Sequence, residues 1–334
     1  MSHPLDTQNM EGIIRQSPEQ FSAGLRAAAQ VPLPSGPFSQ VLVAGMGGSW
    51  MAGALVRDTG LNTVPIAIHR GYDIPQHLPP DTLVIASSFS GNTEETLSAY
   101  EEARTAGLPL IGMAAGGELE KRCHDHTVPF IKIVADPPTM QPRSATGYGV
   151  GILTQILARA GLAAAEAVDA VERLAGFLTN FMETARQRGE ALVPALTNAT
   201  PIIYASDRLA TVAQIWKIKI NENAKTPAFW NVFPELNHNE MIGWTQPHAA
   251  FHVVLLRDAD DHPRVQKRFD ITLALLREKG ISSSIVPITG TTLTEKIFST
   301  LLIGDWASTA LALAQSIDPS PVPMVEDLKK RLQA

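Results

Sequence analysis

Three hydroxyl side chains, those of Ser88, Ser90 and Thr93, stand close together in the chain. They follow the apolar run 83–86 and precede a segment of helical composition that opens with two glutamates. Hydroxyls and the backbone amides around a glycine can hold a phosphate monoester at the start of a helix without lysine or arginine. Helix capping accounts for one such hydroxyl but not readily for three. The segment therefore predicts a phosphate-binding loop.

A second loop, residues 45–49, reads Gly-Met-Gly-Gly-Ser and follows the apolar run 41–44. Glycines permit close approach of the backbone to a ligand, and free N–H groups at the start of the following helix favour an anion. The segment contains only part of a dinucleotide-binding fingerprint, and a tight turn without a ligand would give a similar sequence. On its own it is weak evidence for an anion-binding turn.

Together the two loops resemble a known family. The pattern Ser-x-Ser-Gly-x-Thr-x-Glu-Thr after an apolar strand is similar to the signature of the sugar isomerase (SIS) domain, and Gly-Met-Gly-Gly-Ser resembles the first sugar-binding loop of that fold. From about Gln40 to the last helix, the chain resembles the bifunctional phosphoglucose/phosphomannose isomerases. The resemblance implies that substrate and phosphate contact six loop residues: Gly47, Gly48, Ser49, Ser88, Ser90 and Thr93.

Three further stretches carry the narrower match, at residues 142–149, 216–229 and 233–244. Each places polar side chains densely among aromatic or apolar neighbours. Polar groups are costly to bury in such surroundings and usually indicate a site.

Glu222 is the first candidate for a catalytic group, at the end of a predicted helix. Isomerisation between C1 and C2 needs a base that removes a weakly acidic C–H proton and returns it to the neighbouring carbon. A carboxylate partly shielded from water can do both through a cis-enediol. The resemblance implies that Glu222 is this base, whereas the residues alone leave open a helix-end ion pair with Lys219 or Lys225.

His238 is a candidate for proton transfer, because histidine as a residue type can pass a proton near neutral pH, here to the ring oxygen of a cyclic sugar. The resemblance implies ring opening as its role, with the side chain delivered across a dimer interface, so a homodimer is expected. Glu235, Asn237 and Glu240 share its loop and are expected to orient it.

Two basic residues complete the catalytic set that the resemblance implies. Arg143 offers a planar fork of donors that could stabilise charge on the enediolate oxygens, with an ion pair to Asp136 as the structural alternative. Lys329 matches a catalytic lysine near the C-terminus of the family, which assists ring opening or contacts the substrate oxygens. The register leaves Lys330 as the other choice, and a solvated last turn suits either lysine without a catalytic role.

Alternating strands and helices must position these loops. Short apolar, β-branched runs bounded by Gly, Pro or Ser alternate with longer segments of helical period, which is typical of parallel α/β layers. Strands are predicted at 40–44, 64–68, 83–87, 109–112, 127–133, 201–205, 251–256 and 283–288. Helices are predicted at 50–59, 94–106, 118–124, 209–223, 263–279, 293–314 and 325–332, with a long helical stretch at 147–187. Three prolines are expected to exclude a helix from 318–323.

The predicted fold class is α/β, with two flavodoxin-like sugar isomerase domains, each a mostly parallel sheet flanked by helices, joined by a helical connector. The expected ranges are an N-terminal helical segment 1–39, a first sugar isomerase domain 40–150, a connector 151–198, a second sugar isomerase domain 199–316, and a C-terminal tail and helix 317–334.

Composition limits the partners. A length of 334 residues with 45% hydrophobic content is enough for two domains. The net charge of −6 offers no field to attract nucleic acid or anionic lipid, so neither nucleic acid nor membrane is expected as a partner. The first 12 residues lack the apolar core of a signal peptide, and no run of about 20 apolar residues is evident, so a cytoplasmic protein is expected.

Cofactor and metal sites are not expected. Cys123 is the single cysteine, so it cannot form an intramolecular disulfide or a cysteine-based zinc site within one chain. His248 and His252 are spaced like metal ligands, but no carboxylate or cysteine completes a set with them.

The leading hypothesis is therefore a cofactor-independent isomerase that interconverts glucose 6-phosphate, and mannose 6-phosphate as well, with fructose 6-phosphate. A sugar-phosphate-binding regulator without catalysis is one alternative, but a basic helix-turn-helix is not evident, because Arg15 and Arg26 are the basic residues before Gln40 apart from His3. An amidotransferase needs an N-terminal cysteine nucleophile, which the position of Cys123 excludes. An amino-sugar-phosphate isomerase or deaminase stays open.

Overall fold

Nine strands and eleven α-helices lie within residues 3–332, the part of the chain that the computed structural model describes. The strands are β1 (Gln40–Ala44), β2 (Ile66–His69), β3 (Thr82–Ser87), β4 (Leu110–Ala114), β5 (Phe130–Lys132), β6 (Thr200–Ser206), β7 (Phe229–Phe233), β8 (Phe251–Arg257) and β9 (Ser282–Pro287). The helices are α1 (Met10–Ala28), α2 (Met51–Asp58), α3 (Glu94–Thr105), α4 (Gly117–Asp125), α5 (Thr146–Arg159), α6 (Ala167–Glu190), α7 (Val193–Leu196), α8 (Ala210–Asn223), α9 (Pro263–Glu278), α10 (Leu293–Ala314) and α11 (Pro323–Leu332).

The strands form two parallel sheets, which confirms the predicted α/β class. The first has the order β2-β1-β3-β4-β5 and the second the order β7-β6-β8-β9, with every strand pair parallel. In each sheet the strand order changes direction at one point, between β1 and β3 in the first sheet and between β6 and β8 in the second. In open α/β sheets, ligands bind at the carboxyl edge of the strands at such a reversal. The loops after β1 and β3 therefore lie side by side where a ligand is expected.

Burial explains why these short runs are strands. All six residues of β3 are buried, as are Val41–Ala44 of β1. Parallel strands covered on both faces read as continuous apolar runs, because neither face meets water. Full burial of each Val, Leu or Ile side chain contributes about 1.5–3 kcal/mol, so these runs fix the strand positions from which the loops depart.

The second sheet packs on an aromatic core. Phe233 lies against Phe269 with ring centroids 4.3 Å apart, and against Tyr204 edge-on at 6.1 Å. Trp244 stacks edge-on with Phe251 at 5.4 Å. The residues of the 233–244 stretch singled out in the sequence thus include core members.

The backbone packing divides the chain into two units. The first-sheet unit comprises Arg15–Asn180 and Thr292–Glu295, and the second-sheet unit comprises residues up to Ile14, Phe181–Thr291 and residues from Lys296 onward. Their boundary in α6 falls within the segment 151–198 predicted as a connector. The five predicted domain ranges stay a prediction, and residues 1, 2, 333 and 334 at their ends lie outside the described part of the chain.

The structure departs from the predicted elements most clearly at three places. The helical stretch 147–187 is two helices, because Gly161 has a φ of +72° between α5 and α6. β7 was not predicted; it is an edge strand with one buried residue, Phe233, and Asn231 interrupts its apolar and aromatic residues. Pro323 starts α11 instead of excluding it, because a proline is tolerated at the first position of a helix.

One helix within residues 3–332, α10, is long and apolar enough to cross a membrane by length and composition, a feature that the sequence expectation missed. Its most apolar window has a mean hydropathy of 1.5 and is 78% buried inside the protein. Such burial is what the central helix of a protein core shows, so the length and composition of α10 are weak evidence for a membrane span.

Candidate active site

The loop between β3 and α3 carries the three hydroxyls predicted to bind phosphate. Ser88 is buried, and its hydroxyl lies 2.9 Å from the Thr93 hydroxyl and accepts the Gly91 N–H at 3.1 Å. Ser90 is exposed, and its hydroxyl accepts the Asn92 N–H at 3.2 Å. The three residues thus lie in one loop but differ in exposure. Ser90 is at the surface and Thr93 is half-buried at the start of α3, whereas Ser88 is buried and stabilises the loop through its hydrogen bonds.

Glycine is required at the centre of this loop. Gly91 has a φ of +73°, and a Cβ there would overlap the carbonyl oxygen of Gly116. The loop is held in this position by α4, because the Leu119 N–H donates to the Gly91 carbonyl and the Glu118 N–H donates to Asn92 Oδ1, both at 2.9 Å. Its backbone is therefore fixed before any ligand binds.

Ser49 joins the glycine turn after β1 to this hydroxyl loop. Its hydroxyl accepts the Phe89 N–H at 2.9 Å, and its carbonyl oxygen accepts the Ser87 hydroxyl at 3.1 Å. Gly47 is exposed with a φ of +54°. The two predicted loops therefore form one continuous surface at the carboxyl edge of the first sheet.

Arg143 lies in a 3-10 turn, Pro142–Ser144, beside the glycine turn. A Cβ on Gly48 would come within 2.6 Å of the Pro142 carbonyl carbon and 2.8 Å of the Arg143 nitrogen, so glycine permits this close approach. Arg143 is 1% exposed, and a buried guanidinium is maintained only with polar partners.

A narrow cleft of about 20 Å³ lies between this turn and the two loops. Its lining residues come from the first-sheet unit: Gly48, Ser49, Ala52, Ser87, Phe89, Met113, Ile133, Pro142, Ala145, Thr146 and Gly149. Small residues dominate this wall, so a polar ligand can approach the backbone amides closely. The cleft thus brings the predicted glycine turn and the Arg143 turn to the same place.

Gln20 is a residue of this region that sequence reasoning missed. Its side chain is buried on α1; its amide donates to the Ser144 carbonyl at 2.8 Å, and its oxygen accepts the Gly147 N–H at 3.1 Å. It therefore fixes the chain immediately after Arg143. The available signal was a glutamine next to Phe21 on the apolar face of α1.

Glu222 lies in the last turn of α8 and is partly buried. Its neighbours hold the helix end: the Asn221 amide donates to the Thr226 carbonyl at 2.8 Å, and the Asn223 amide donates to the Ser308 hydroxyl at 2.9 Å. The polar side chains next to Glu222 therefore mainly fix the position of the end of α8.

The two lysines weighed as partners of Glu222 have structural contacts of their own. Lys219 is buried and forms an ion pair with Asp305. The Lys225 amino group lies within hydrogen-bond distance of four backbone carbonyls: those of Glu222 (2.9 Å), Asn223 (3.2 Å), Asp318 (2.8 Å) and Pro319 (3.1 Å).

His238 is exposed in the loop that follows β7. Glu240 fastens this loop to the second sheet, because its carboxylate accepts the Tyr204 hydroxyl and, at 2.5 Å, the Asn231 amide. Burial, and then the hydrogen bond to Glu240, raise the pKa of Tyr204, so the phenol remains a donor at ordinary pH. Trp244 donates to the same phenol oxygen at 3.1 Å.

The other two residues expected to orient His238 also hold its loop. The Asn237 amide donates to the Thr272 hydroxyl, and its oxygen accepts from Arg268, both at 3.1 Å. The Glu235 carbonyl accepts the His238 N–H at 2.9 Å. These contacts set the position of the loop backbone on which the imidazole is carried.

An open pocket of about 360 Å³ flanks His238. Its wall includes Ile242, which is 73% exposed, together with Leu275 (39% exposed) and Met241. Apolar side chains exposed together next to a polar residue are typical of an interaction surface.

Lys329 and Lys330 lie on α11, which has no buried residue between Pro323 and Leu332. The Lys329 amino group pairs with Glu326 at 2.8 Å in an exposed ion pair. Exposed ion pairs contribute at most about 1 kcal/mol to stability, so breaking this pair to form another contact would cost Lys329 little free energy. The choice between Lys329 and Lys330 stays a prediction.

His252 has a structural role. It is buried on β8, and its ring nitrogens lie 2.8 Å and 2.9 Å from the hydroxyls of Ser282 and Ser284 on β9. Because both nitrogens are engaged, the ring has no lone pair to spare for a metal, unlike the pattern that its spacing from His248 suggested.

The corresponding edge of the second sheet is filled by charged residues. Lys296 pairs with Asp258 at 2.7 Å, and Arg208 pairs with Asp258 and, at 3.2 Å, with Asp261. Arg208 follows β6 and Asp258 follows β8, which are the positions that the two loops occupy in the first sheet. Carboxylates there repel a phosphate, so this edge of the second sheet is electrostatically unfavourable for phosphate binding.

Known proteins resemble the chain over most of its length. The family described as the bacterial phospho-glucose isomerase C-terminal SIS domain matches residues 185–332. A bifunctional phosphoglucose/phosphomannose isomerase of Caldicellulosiruptor bescii is 37% identical over 88% of this chain and 89% of its own length. One of Aquifex aeolicus is 31% identical over 89% and 91%. A glucosamine-6-phosphate deaminase structure from Thermotoga maritima superposes with a TM-score of 0.72 at 14% identity, over 95% of this chain and 96% of that one, which shows a shared fold.

Proposed function

This chain belongs to the family of bifunctional phosphoglucose/phosphomannose isomerases, and from that premise we propose how its residues interconvert glucose 6-phosphate and mannose 6-phosphate with fructose 6-phosphate. It is an aldose–ketose isomerase of the sugar isomerase fold. The reaction serves carbohydrate metabolism, glycolysis and gluconeogenesis included. The observation that carries the assignment of its binding site is the prebuilt loop around Gly91, which stands at the strand-order reversal of the first sheet.

The phosphate binds at this loop. Ser90 and Thr93 donate hydroxyl hydrogen bonds to the phosphate oxygens, together with backbone N–H groups at the start of α3. Ser88 supports the arrangement through its contacts with Thr93 and Gly91. Gly47, Gly48 and Ser49 contact the sugar from the adjacent turn.

Glu222 acts as the base. Its carboxylate takes the C2 proton from the open-chain aldose to give a cis-enediol and returns that proton to C1, and the reverse sequence forms the aldose. The guanidinium of Arg143 stabilises the negative charge on the enediolate oxygens. Because glucose and mannose 6-phosphates differ at C2 alone, they give the same enediol, and rotation about C2–C3 lets one base serve both.

His238 opens the sugar ring by donating a proton to the ring oxygen, and it does so in the partner subunit of a homodimer. Its exposure and the apolar surface around Ile242 support this assignment, because a second copy would bury both. Lys329 on the exposed helix α11 assists ring opening or contacts substrate oxygens. We place the enzyme in the cytoplasm, where hexose 6-phosphates are formed and used.

The test is turnover of each substrate. Formation of fructose 6-phosphate from glucose and from mannose 6-phosphate is expected in a coupled assay. Products formed in D₂O are expected to carry deuterium at the carbon that receives the proton, in the fraction of turnovers in which the proton on Glu222 exchanges with solvent before it is returned. Glu222→Gln should abolish both signals while fructose 6-phosphate still binds. Glu278→Gln, at the exposed end of α9, is the matched control and should behave as the wild type.

Two results would contradict the proposal. Binding of hexose phosphates without turnover in the wild type would indicate a sensor, and release of ammonia from glucosamine 6-phosphate as the sole reaction would indicate a deaminase. An active Glu222→Gln enzyme would falsify the assignment of the base.

A further inference from the structure

Lys225 has an unusual backbone for a lysine. It stands two residues beyond Asn223, the last residue of α8, with a φ of +52°. Helices commonly end with a left-handed residue near this point, and glycine or asparagine usually occupies it because a side chain makes the conformation strained. A lysine there needs compensating contacts from its side chain.

The side chain supplies those contacts by turning back onto the backbone. Its ammonium group has three donors and lies near the four carbonyl oxygens described above, so at least one donor is shared. The positive charge also opposes the partial negative charge at the C-terminal end of α8. Most lysines on a protein surface keep this group in water instead.

The four carbonyls belong to two pieces of chain that the proposed reaction uses. Two belong to Glu222 and Asn223, at the end of α8, and two belong to Asp318 and Pro319, in the tail just before α11. The tail is itself anchored, because Asp318 accepts the Thr7 hydroxyl at 2.5 Å and the Ser320 N–H at 3.0 Å.

We infer that Lys225 is a positioning residue of the isomerase: its ammonium group fixes the peptide of Glu222, and thereby the carboxylate, relative to an anchored tail that leads into the lysine-bearing helix α11. This inference rests on the proposed role of Glu222 as the base. Proton transfer requires the reacting atoms at about 3–3.5 Å, and a displacement of about 1 Å costs roughly 100-fold in rate.

Three substitutions distinguish the effect of the ammonium group from the effect of the left-handed backbone at residue 225. Lys225→Met keeps an unbranched side chain as far as Cε and removes the ammonium group with its donors. Lys225→Arg keeps a charged, multiple donor. Lys225→Gly removes the donors but relieves the left-handed backbone. Lys267→Met, on the exposed face of α9, is the matched control for loss of a surface lysine.

Each variant is assayed as the full-length protein with both hexose 6-phosphates. We expect kcat to fall roughly 10- to 100-fold in Lys225→Met and Lys225→Gly, with KM changed less than about threefold, since the phosphate loop is untouched. Lys225→Arg should recover to within about fivefold of wild type, and Lys267→Met should match wild type. With 2-deuterated glucose 6-phosphate, the isotope effect on kcat should rise in Lys225→Met, because proton transfer becomes the slow step.

Normal kcat in Lys225→Met, or recovery of kcat by Lys225→Gly, would overturn the inference, since glycine restores the backbone without the ammonium group. The thermal unfolding midpoint of each variant identifies one that loses activity by unfolding. Lys225→Gly should keep a midpoint closer to that of wild type than Lys225→Met does, because glycine relieves the left-handed backbone. Glu222→Gln is assayed beside them. Activity in Glu222→Gln would contradict the proposed role of Glu222 as the base. An inactive Glu222→Gln together with a normal kcat in Lys225→Met would contradict only the role of Lys225.

Discussion

Replacing Gly91 by alanine is expected to weaken both the fold and the phosphate site. Gly91 has a φ of +73°, and the new Cβ would overlap the Gly116 carbonyl oxygen, well inside the 3.0 Å that real Cβ atoms keep. The left-handed backbone alone costs about 1–2 kcal/mol for a residue with a Cβ. Relieving an overlap with a backbone atom adds about 1–3 kcal/mol. The free energy of unfolding should therefore fall by about 2–5 kcal/mol.

Gly107→Ala is a matched control in the same unit. Gly107 has nearly the same φ, +69°, but a Cβ there meets no atom within 4 Å. It lies just after α3, at the opposite end of that helix from the phosphate loop. This variant should lose about 1–2 kcal/mol, or roughly 2–8 °C in the unfolding midpoint, from backbone strain alone. The difference between the two variants isolates the overlap with Gly116.

The effect on binding follows from the shift that Gly91→Ala forces on the loop. A hydrogen bond to a charged group contributes about 1.5–3 kcal/mol, so losing one raises the KM for fructose 6-phosphate roughly 10- to 150-fold. The inhibition constant of inorganic phosphate should rise in parallel, whereas Gly107→Ala should leave both unchanged. A Gly91→Ala enzyme that is destabilised as expected yet binds both ligands normally would show that the phosphate lies elsewhere.

Three other substitutions test the supporting contacts. Gln20→Leu removes both hydrogen bonds to the chain after Arg143 and should lower kcat roughly tenfold, since a lost buried hydrogen bond costs about 1–3 kcal/mol; steady-state kinetics on a folded sample decides this, and a normal kcat would contradict it. Lys296→Met leaves the buried Asp258 carboxylate with Arg208 as its remaining cation and should cost about 1–3 kcal/mol in urea unfolding, with partial recovery on adding Asp258→Asn; a loss under about 1 kcal/mol would show that the pair is effectively solvated. Burial lowers the pKa of His252 from 6.5, so the unfolded chain binds the proton more readily and stability should fall as the pH drops below about 6.5, by up to about 1.4 kcal/mol per pH unit. His252→Gln should flatten that part of the pH profile, and an unchanged slope would assign it to another group.

Much of the fold could be predicted from the sequence because its signals are local. β1 and α10 have the bounds expected from their apolar runs and period, since strands buried on both faces and a largely buried helix leave unambiguous patterns. β7 could not be found in this way. Its residue types favour a strand, but Asn231 interrupts them and the side chains are mostly half-exposed, so its place in the sheet depends on pairing with β6.

The site could be predicted in part. The hydroxyl pattern located the loop around Ser90, and the family resemblance pointed to Glu222. Which serine is buried and which is exposed could not be predicted, because Ser88 and Ser90 have the same side chain and differ only in the direction in which the loop orients them. Gln20 was missed for another reason: its partners lie 124 and 127 residues away, so the contacts exist only after folding.

The first four strands of the two sheets share an order, yet the carboxyl edges of the sheets differ in charge, and this difference favours a phosphate at the first edge. At the first edge, the neutral hydroxyls of Ser88, Ser90 and Thr93 lie around Gly91. At the second, the cations of Arg208 and Lys296 are already paired with three carboxylates, those of Asp258, Asp260 and Asp261, which leaves a formal charge of 2 − 3 = −1. A phosphate at about 4 Å from such a charge meets repulsion of about 4 kcal/mol near a protein surface and would also have to separate buried ion pairs. We therefore expect a phosphate to bind at the first edge, whereas at the second edge the paired charges stabilise the sheet and oppose an anion.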